Sequence, residues 1–120
     1  MKQLKPAPIK PTIKYSDLDK VDIRVGTMEK VDNIEKSEKL AKLIVDFGDR
    51  KSNIIVGMKK ERDSPKEIEG MLALFVVNLE PRKMRYGLSE GMLFDIGYAD
   101  KIIPVLAVPE KPIPNGARAG

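Results

Sequence analysis

The sequence predicts an all-β domain with little helix, built as a small barrel of five strands. Three observations predict this class: apolar and polar residues alternate at the start of the body, five β-type apolar segments follow one another, and helix signals occur only in short stretches. A length of 120 residues fits a single domain. Because only 5% of the residues are aromatic, we expect a core of Ile, Val, Leu and Met.

Residues 1–14 are predicted to form a flexible basic arm, because prolines and lysines alternate there with small residues. The arm either moves freely or lies as a strap across the domain, and both interpretations are open. It has no apolar stretch of the signal-peptide type, and no segment of the chain approaches the ~20 apolar residues of a membrane span. We therefore expect a cytoplasmic protein without a membrane partner, whose folded body covers residues 15–120.

The body begins with a predicted helical turn over residues 15–20, followed by a first strand in VDIRVGTMEKV. Gly26 within this strand predicts a bulge or a sharp bend, of the kind that a small barrel needs at a corner. The segments LIVDFG and IIVGM predict the second and third strands, which we expect to pair as a hairpin.

A short helix is predicted after the third strand, because residues 64–67 read Ser-Pro-Lys-Glu, as in a capping box, and Gly70 is a stop signal. The segments MLALFVVNL and MLFDIGY predict the fourth and fifth strands, joined by a polar, basic loop, EPRKMRYGLSEG. Five strands with one small helix between the third and fourth are the arrangement of an OB-fold barrel. The C-terminal extension, apolar over residues 102–108, either packs on its own barrel or forms a dimer interface.

The residue types exclude most catalytic chemistry. The chain has no Cys and no His, so disulfides, thiolate nucleophiles and imidazole bases or ligands are excluded. We therefore expect no enzyme activity, no cofactor and no metal site. The net charge of +4 equals the four lysines of residues 1–14, because the other 18 basic residues (22 − 4) match the 18 acidic ones. A nucleic-acid site on the body must therefore be a local cluster.

The loop between the fourth and fifth strands contains such a cluster. Arg82, Lys83 and Arg85 place three cations within four positions, beside the ring of Tyr86. Cations neutralise phosphates, and aromatic and guanidinium planes stack on unpaired bases. On an OB barrel this loop flanks the binding face, so the pattern indicates a nucleic-acid interface.

Several segments resemble the tRNA-binding domain family, whose members occur as free dimeric tRNA-binding proteins, at the C-terminus of methionyl-tRNA synthetases and in multi-synthetase accessory factors. The matching segments lie between residues ~15 and 117 and read DLDKVDIRVGTMEKV, SEKLAKLIVDFGD, IIVGM, NLEPRKMRYGLSEGMLF and IPNGARAG. The resemblance implies a non-catalytic homodimer that recognises the shape of tRNA and acts alone or beside an aminoacyl-tRNA synthetase.

The resemblance and the chemistry of the loop together give the candidate tRNA-binding residues. They are Arg24, Lys39, Asn78, Arg82, Lys83, Met84, Arg85, Tyr86, Ser89 and Met92. Other roles are open for some of these side chains. Arg24 either contacts RNA or pairs with a neighbouring acid, and the two methionines either contact RNA or pack in the core. The ring of Tyr86 either stacks on a base or folds over the rim of the barrel.

The chain departs from the family pattern at four places. Tyr86 stands where a Gly follows Lys-Met-Arg, Val56 replaces a Ser, and Glu90 replaces a Gln. The His and Pro that precede Ala-Asp-Lys-Leu are absent from the segment EKSEKL, residues 35–40. A related branch of the same fold resembles a dimeric export chaperone that binds unfolded polypeptides, which is the alternative function. An exposed apolar groove would favour that alternative, whereas the intact Lys83-Met84-Arg85 string favours tRNA.

Overall fold

The computed structural model describes residues 3–120 and confirms the all-β class with little helix. A single helical turn, α1, spans Tyr15–Leu18, and short 3-10 turns span Pro65–Ile68 and Tyr98–Asp100. The strands are β1 (Ile23–Asn33), β2 (Ala41–Asp46), β3 (Lys51–Val56), β4 (Leu72–Val76), β5 (Arg82–Met84), β6 (Gly87–Ser89), β7 (Met92–Leu93), β8 (Asp95–Ile96), β9 (Val105–Leu106) and β10 (Arg118–Ala119). Within residues 3–120, no helix is long and apolar enough to cross a membrane.

The main sheet curls into a nearly closed antiparallel barrel. Its strand order is β3-β2-β1-β4-β7, with β10 added to β1. The long first strand pairs with two neighbouring strands. Residues 23–27 pair with β4, and residues 27–33 pair with β2. A register shift between Met28 and Lys30 marks the irregularity in this strand, a few residues beyond the predicted position at Gly26.

Gly26 is required for packing and not for an unusual backbone angle. A Cβ atom at this position would lie 2.5 Å from Cγ1 of Val45 and 2.8 Å from Cε1 of Phe47. Both neighbours are buried in the core, so neither has free space into which it could move. Because position 26 has no side chain, Val45 and Phe47 can pack closely against β1, and this close packing shapes the bend of the sheet.

The core fills the interior of the barrel with aliphatic and methionine side chains, and two Phe residues lie among them. The rings of Phe47 and Phe75 meet edge to face, with centroids 5.5 Å apart and planes at 90°. The largest fully buried side chains are Phe75, Met28, Leu43, Ile54, Met58, Ile68, Val31 and Val45. The expected Ile, Val, Leu and Met core is thus organised around a pair of aromatic rings.

The free edge of β3 is closed by side chains. Oγ of Ser89 accepts the N–H of Ile55 at 3.0 Å, and Oε1 of Glu90 accepts the N–H of Asn53 at 3.0 Å. The N–H of Glu90 also donates to the carbonyl of Asn53 at 2.7 Å. These bonds satisfy backbone groups that would otherwise be unpaired at an open strand edge. They also hold the connection between β6 and β7 against β3.

The C-terminal residues 114–119 close the remaining edge of β1. Arg118 lies opposite Arg24 in an antiparallel pairing, and the N–H of Gly116 donates to the carbonyl of Val25 at 2.8 Å. Gly116 has φ +86, and a Cβ there would lie 2.5 Å from the carbonyl oxygen of Phe47, so this close approach needs glycine. This part of the C-terminal extension therefore packs on its own barrel.

Three predicted elements differ in detail from the structure. The basic loop after β4 is a β-hairpin, because β5 and β6 pair with each other. The predicted fifth strand is split into β7 and β8 at Phe94, whose N–H donates to the carbonyl of Leu74 at 2.9 Å. The predicted helix after β3 is the 3-10 turn Pro65–Ile68, and the side chain of Ser64 makes no capping hydrogen bond.

The N-terminal arm is exposed along the whole of its described part, residues 3–14. It forms no helix or strand there, and Ile9 is 99% exposed. Its backbone joins the body at Lys14, whose carbonyl accepts the N–H of Asp17 at 3.0 Å. Residues 1 and 2 of the predicted arm lie outside the described residues.

We expect Gly26→Ala to lower the free energy of unfolding by about 1–3 kcal/mol, because the added methyl overpacks the core beside Val45 and Phe47. Denaturant unfolding checks this. Gly57→Ala is the matched control, because Gly57 is exposed and a Cβ there would meet nothing within 4 Å. Equal stability of the two variants would show that the barrel tolerates a side chain at position 26.

Candidate nucleic-acid interface

Strands β5 and β6 form a short hairpin, residues 82–89, which we call the basic hairpin. Arg82 pairs with Ser89, Lys83 with Leu88, and Met84 with Gly87, which leaves Arg85 and Tyr86 at the turn. Arg82, Lys83 and Arg85 are exposed. The hairpin ends at Ser89, which is only 4% exposed and is bonded to β3. The buried Ser89 therefore anchors a hairpin that carries three exposed cations.

A second cationic element lies between β1 and β2 in residues 34–40, which we call the lysine loop. Its cations, Lys36 and Lys39, are exposed. The loop is held from one side by Lys59, whose Nζ donates to the carbonyls of Ile34 at 2.7 Å and of Ser37 at 2.6 Å. The loop thus has a defined course although it contains no strand or helix.

Tyr86 connects the two elements. Its hydroxyl donates to the carbonyl of Lys36 at 2.8 Å, across 50 residues of sequence. The guanidinium carbon of Arg85 lies 5.7 Å from the centre of the same ring, within the range of a cation–π interaction. Tyr86 is half-buried in this arrangement, between Arg85 and the lysine loop.

The five cations of the two elements are available to an anionic ligand. Within residues 3–120, the ion pairs involve other lysines and arginines, and none of Lys36, Lys39, Arg82, Lys83 and Arg85 takes part in one. The carboxylate of Glu90, which follows the basic hairpin, accepts the N–H of Asn53.

Arg24 and Asn78 have structural partners at the beginning of β1. Arg24 makes a bidentate pair with Asp22, with Nε to Oδ1 at 2.8 Å and Nη2 to Oδ2 at 3.0 Å. This hydrogen-bonded pair lowers the pKa of Asp22 and raises the pKa of Arg24. Oδ1 of Asn78 accepts the N–H of Asp22 at 2.9 Å, and its Nδ2 donates to the carbonyl of Lys20 at 2.6 Å. Asn78 therefore holds the backbone on both sides of Val21, and Arg24 is paired with the acid that follows Val21.

The remaining candidates divide between the fold and the surface. The hydroxyl of Ser89 is occupied by the N–H of Ile55, so it holds the hairpin to the barrel. Met84 is half-buried, whereas Met92 in β7 is 46% exposed and open to contact. The candidates predicted from the sequence do not include Lys36, although it lies in the same segment as Lys39. They also do not include Lys59, which holds the lysine loop through bonds that form only in the folded chain.

An exposed apolar region lies elsewhere, in residues 96–108, which we call the apolar segment. Its exposed apolar side chains are Ile96, Tyr98, Ile102, Ile103, Val105 and Val108. Beside it is an open cleft of about 570 Å³, whose lining includes Glu61, Tyr98, Ile102 and Ile103. Burial raises the pKa of Glu61, and the nearby charge of Asp95 raises it further. Within residues 3–120, no group of three or more acidic residues is placed to hold a metal ion.

Comparison with known proteins gives a consistent result. The family described as "Putative tRNA binding domain" matches residues 23–118. The MetRS related protein from Pyrococcus horikoshii is 33% identical, with a TM-score of 0.84, over 92% of this chain and 100% of that one. The CsaA chaperone protein from Picrophilus torridus is 25% identical, with a TM-score of 0.76, over 91% of this chain and 100% of that one. Chaperone CsaA from Bacillus anthracis str. Ames, at 22% identity and a TM-score of 0.77, covers 92% of this chain and all of its own length, and it shares the fold.

We expect Ser89→Ala to lower the free energy of unfolding by about 1–3 kcal/mol, because it leaves the buried N–H of Ile55 without an acceptor. Denaturant unfolding and amide exchange at Ile55 measure this effect. Ser64→Ala is the control, because Ser64 is exposed and its side chain makes no capping bond. If Ser89→Ala is as stable as the control, the hydroxyl does not hold the barrel closed.

Proposed function

Because this chain belongs to the tRNA-binding-domain family, we propose that it is a non-catalytic protein that recognises the shape of tRNA through the basic hairpin and the lysine loop. One observation carries the proposal: Arg82, Lys83 and Arg85 are exposed on an anchored hairpin. Within the described chain these cations have no acidic partner, so phosphate binding would not first require an ion pair to break.

The proposed mechanism is phosphate neutralisation at fixed positions. Backbone phosphates carry no sequence information, so contacts of this kind select a tRNA by its shape. The planar side chain of Arg85 can stack on an unpaired base, and the exposed Met92 offers an apolar contact beside the hairpin. Arg24, Asn78 and Ser89 contribute indirectly, by holding the strands that carry the surface.

We further propose that the protein acts in the cytoplasm, where it could deliver bound tRNA to an aminoacyl-tRNA synthetase. The 33% identity to a MetRS related protein supports this partner. Co-purification of the chain with a synthetase in the presence and absence of tRNA tests this proposal. Association only when tRNA is present would indicate that tRNA bridges the two proteins.

We also propose a homodimer formed through the apolar segment. Its six exposed apolar side chains lie within 13 residues, and exposed apolar patches mark protein–protein contacts. A dimer related by two-fold symmetry would bury the segment against its own copy. It would also double the number of basic hairpins, which raises avidity for a large ligand without new contacts.

We expect the wild-type protein to bind bulk tRNA saturably, with a log–log salt slope of about −2 to −4. Lys83→Ala/Arg85→Ala should raise the Kd at least about tenfold and reduce the slope by about two, because two phosphate contacts are lost. Filter binding or fluorescence titration at two salt concentrations measures both quantities.

Lys10→Ala/Lys111→Ala is the control for this experiment, because it removes the same charge from exposed positions in the arm and the C-terminal extension. Its Kd should change less than about twofold. If the two double variants lose affinity equally, binding follows net charge and the proposed site is wrong.

We expect the protein to sediment at twice the mass of one chain and Ile103→Asp to sediment as a monomer, because a buried carboxylate at the interface would be unpaired. Leu79→Asp is the control, because Leu79 is also exposed but lies outside the apolar segment. Sedimentation equilibrium over a range of concentrations measures the mass. A wild-type monomer, or dissociation by both substitutions, would contradict the proposed interface.

The second candidate function is a chaperone-like binding of unfolded polypeptides, which the exposed apolar segment and its cleft favour. It predicts that the protein suppresses the aggregation of an unfolded client and that Ile103→Asp abolishes the effect. Lys83→Ala/Arg85→Ala should leave the effect intact. Lys83→Ala/Arg85→Ala therefore distinguishes the two candidates, because it should weaken tRNA binding and leave client binding intact.

A further inference from the structure

We infer that Tyr86 is a positioning residue, which holds the lysine loop against the basic hairpin so that both present their cations to one ligand. The part of this inference that concerns tRNA rests on the proposed function. The part that concerns the loop rests on the geometry of the chain alone, and the two parts can be tested separately.

The hydroxyl of Tyr86 makes the contact that joins the two elements. It donates to the carbonyl of Lys36 at 2.8 Å, and among the described residues this is the one hydrogen bond between the lysine loop and the basic hairpin. The partner is a backbone carbonyl, so the bond fixes the path of the loop while the ammonium group of Lys36 stays exposed.

The other bonds of the lysine loop do not reach the hairpin. Lys59 follows β3 and binds the carbonyls of Ile34 and Ser37. The hydroxyl of Ser37 accepts the N–H of Leu40 at 3.1 Å, within the loop itself. These contacts define the shape of the loop, and the bond to Tyr86 sets its position relative to Arg82, Lys83 and Arg85.

The ring of Tyr86 acts on the hairpin as well. The guanidinium group of Arg85 lies 5.7 Å from the ring centre, so the ring also orients this cation. One aromatic side chain therefore contacts both a hairpin cation and the loop that carries Lys36 and Lys39. Ordering the two elements before binding removes an entropic cost that a free loop would impose when the ligand arrives.

The first measurement is amide exchange in the loop without any ligand. Tyr86→Phe removes the hydroxyl and keeps the ring, so exchange over residues 35–39 should accelerate about three- to tenfold. Tyr15→Phe is the matched control, because Tyr15 is exposed and its hydroxyl makes no hydrogen bond within residues 3–120. Unchanged exchange in Tyr86→Phe would overturn the inference, whatever the protein binds.

The second measurement is a double-mutant cycle with bulk tRNA. Tyr86→Phe should raise the Kd about three- to tenfold in the wild-type background and have no effect in Lys36→Ala/Lys39→Ala, because it acts through those cations. Equal losses in both backgrounds would overturn the inference, since Tyr86 would then contact the RNA directly. If the wild type does not bind tRNA, the proposed function fails and amide exchange alone decides the role of Tyr86.

Discussion

The structure depends on the side-chain closure of the barrel at the edge of β3. Ser89 and Glu90 accept the N–H groups of Ile55 and Asn53, where a neighbouring strand would supply carbonyl acceptors. Without them the sheet would end in an open edge, and the core over β2 and β3 would be exposed to water. Ser89 is the last residue of the basic hairpin and Glu90 follows it, so the bonds that complete the barrel also anchor the hairpin that carries the exposed cations.

The segment from Asn78 to Ser89 is one short sequence motif, and its residues have two different roles in the structure. Asn78 and Ser89 have buried or backbone partners and stabilise the scaffold. Arg82, Lys83 and Arg85 lie between them along the chain and face solvent. A motif of this kind therefore combines positions that have structural partners with positions that face solvent. The distinction cannot be made from residue type alone, because polar residues serve both roles.

The sequence predicted the class, the barrel and the order of its main strands, because alternation and turn signals are local properties. It placed the fifth strand as one element, whereas β7 pairs with β4 and β8 pairs with β9, and no local pattern encodes these different partners. The cationic hairpin was recognisable because its three cations are adjacent in sequence. The lysine loop could not be recognised as part of the same surface. Its hydrogen bond with Tyr86 joins residues that are 50 positions apart in sequence, and this bond exists only in the folded chain. The contact between Tyr86 and Lys36 joins two distant segments, a pairing that reading the chain segment by segment does not show.

The pairing of β10 with β1 has a consequence for the order of events during synthesis. Arg24 lies opposite Arg118, so the outer edge of the first half of β1 receives its partner only after β2, β3 and β4 have been made. Until then, that edge is open while β2, β3 and β4 are already able to fold against the strand. The charged pair of Arg24 and Asp22 lies at this edge, and charges there discourage pairing with another nascent chain. The ion pair therefore protects this strand edge until residues 116–119 have been made and cover it.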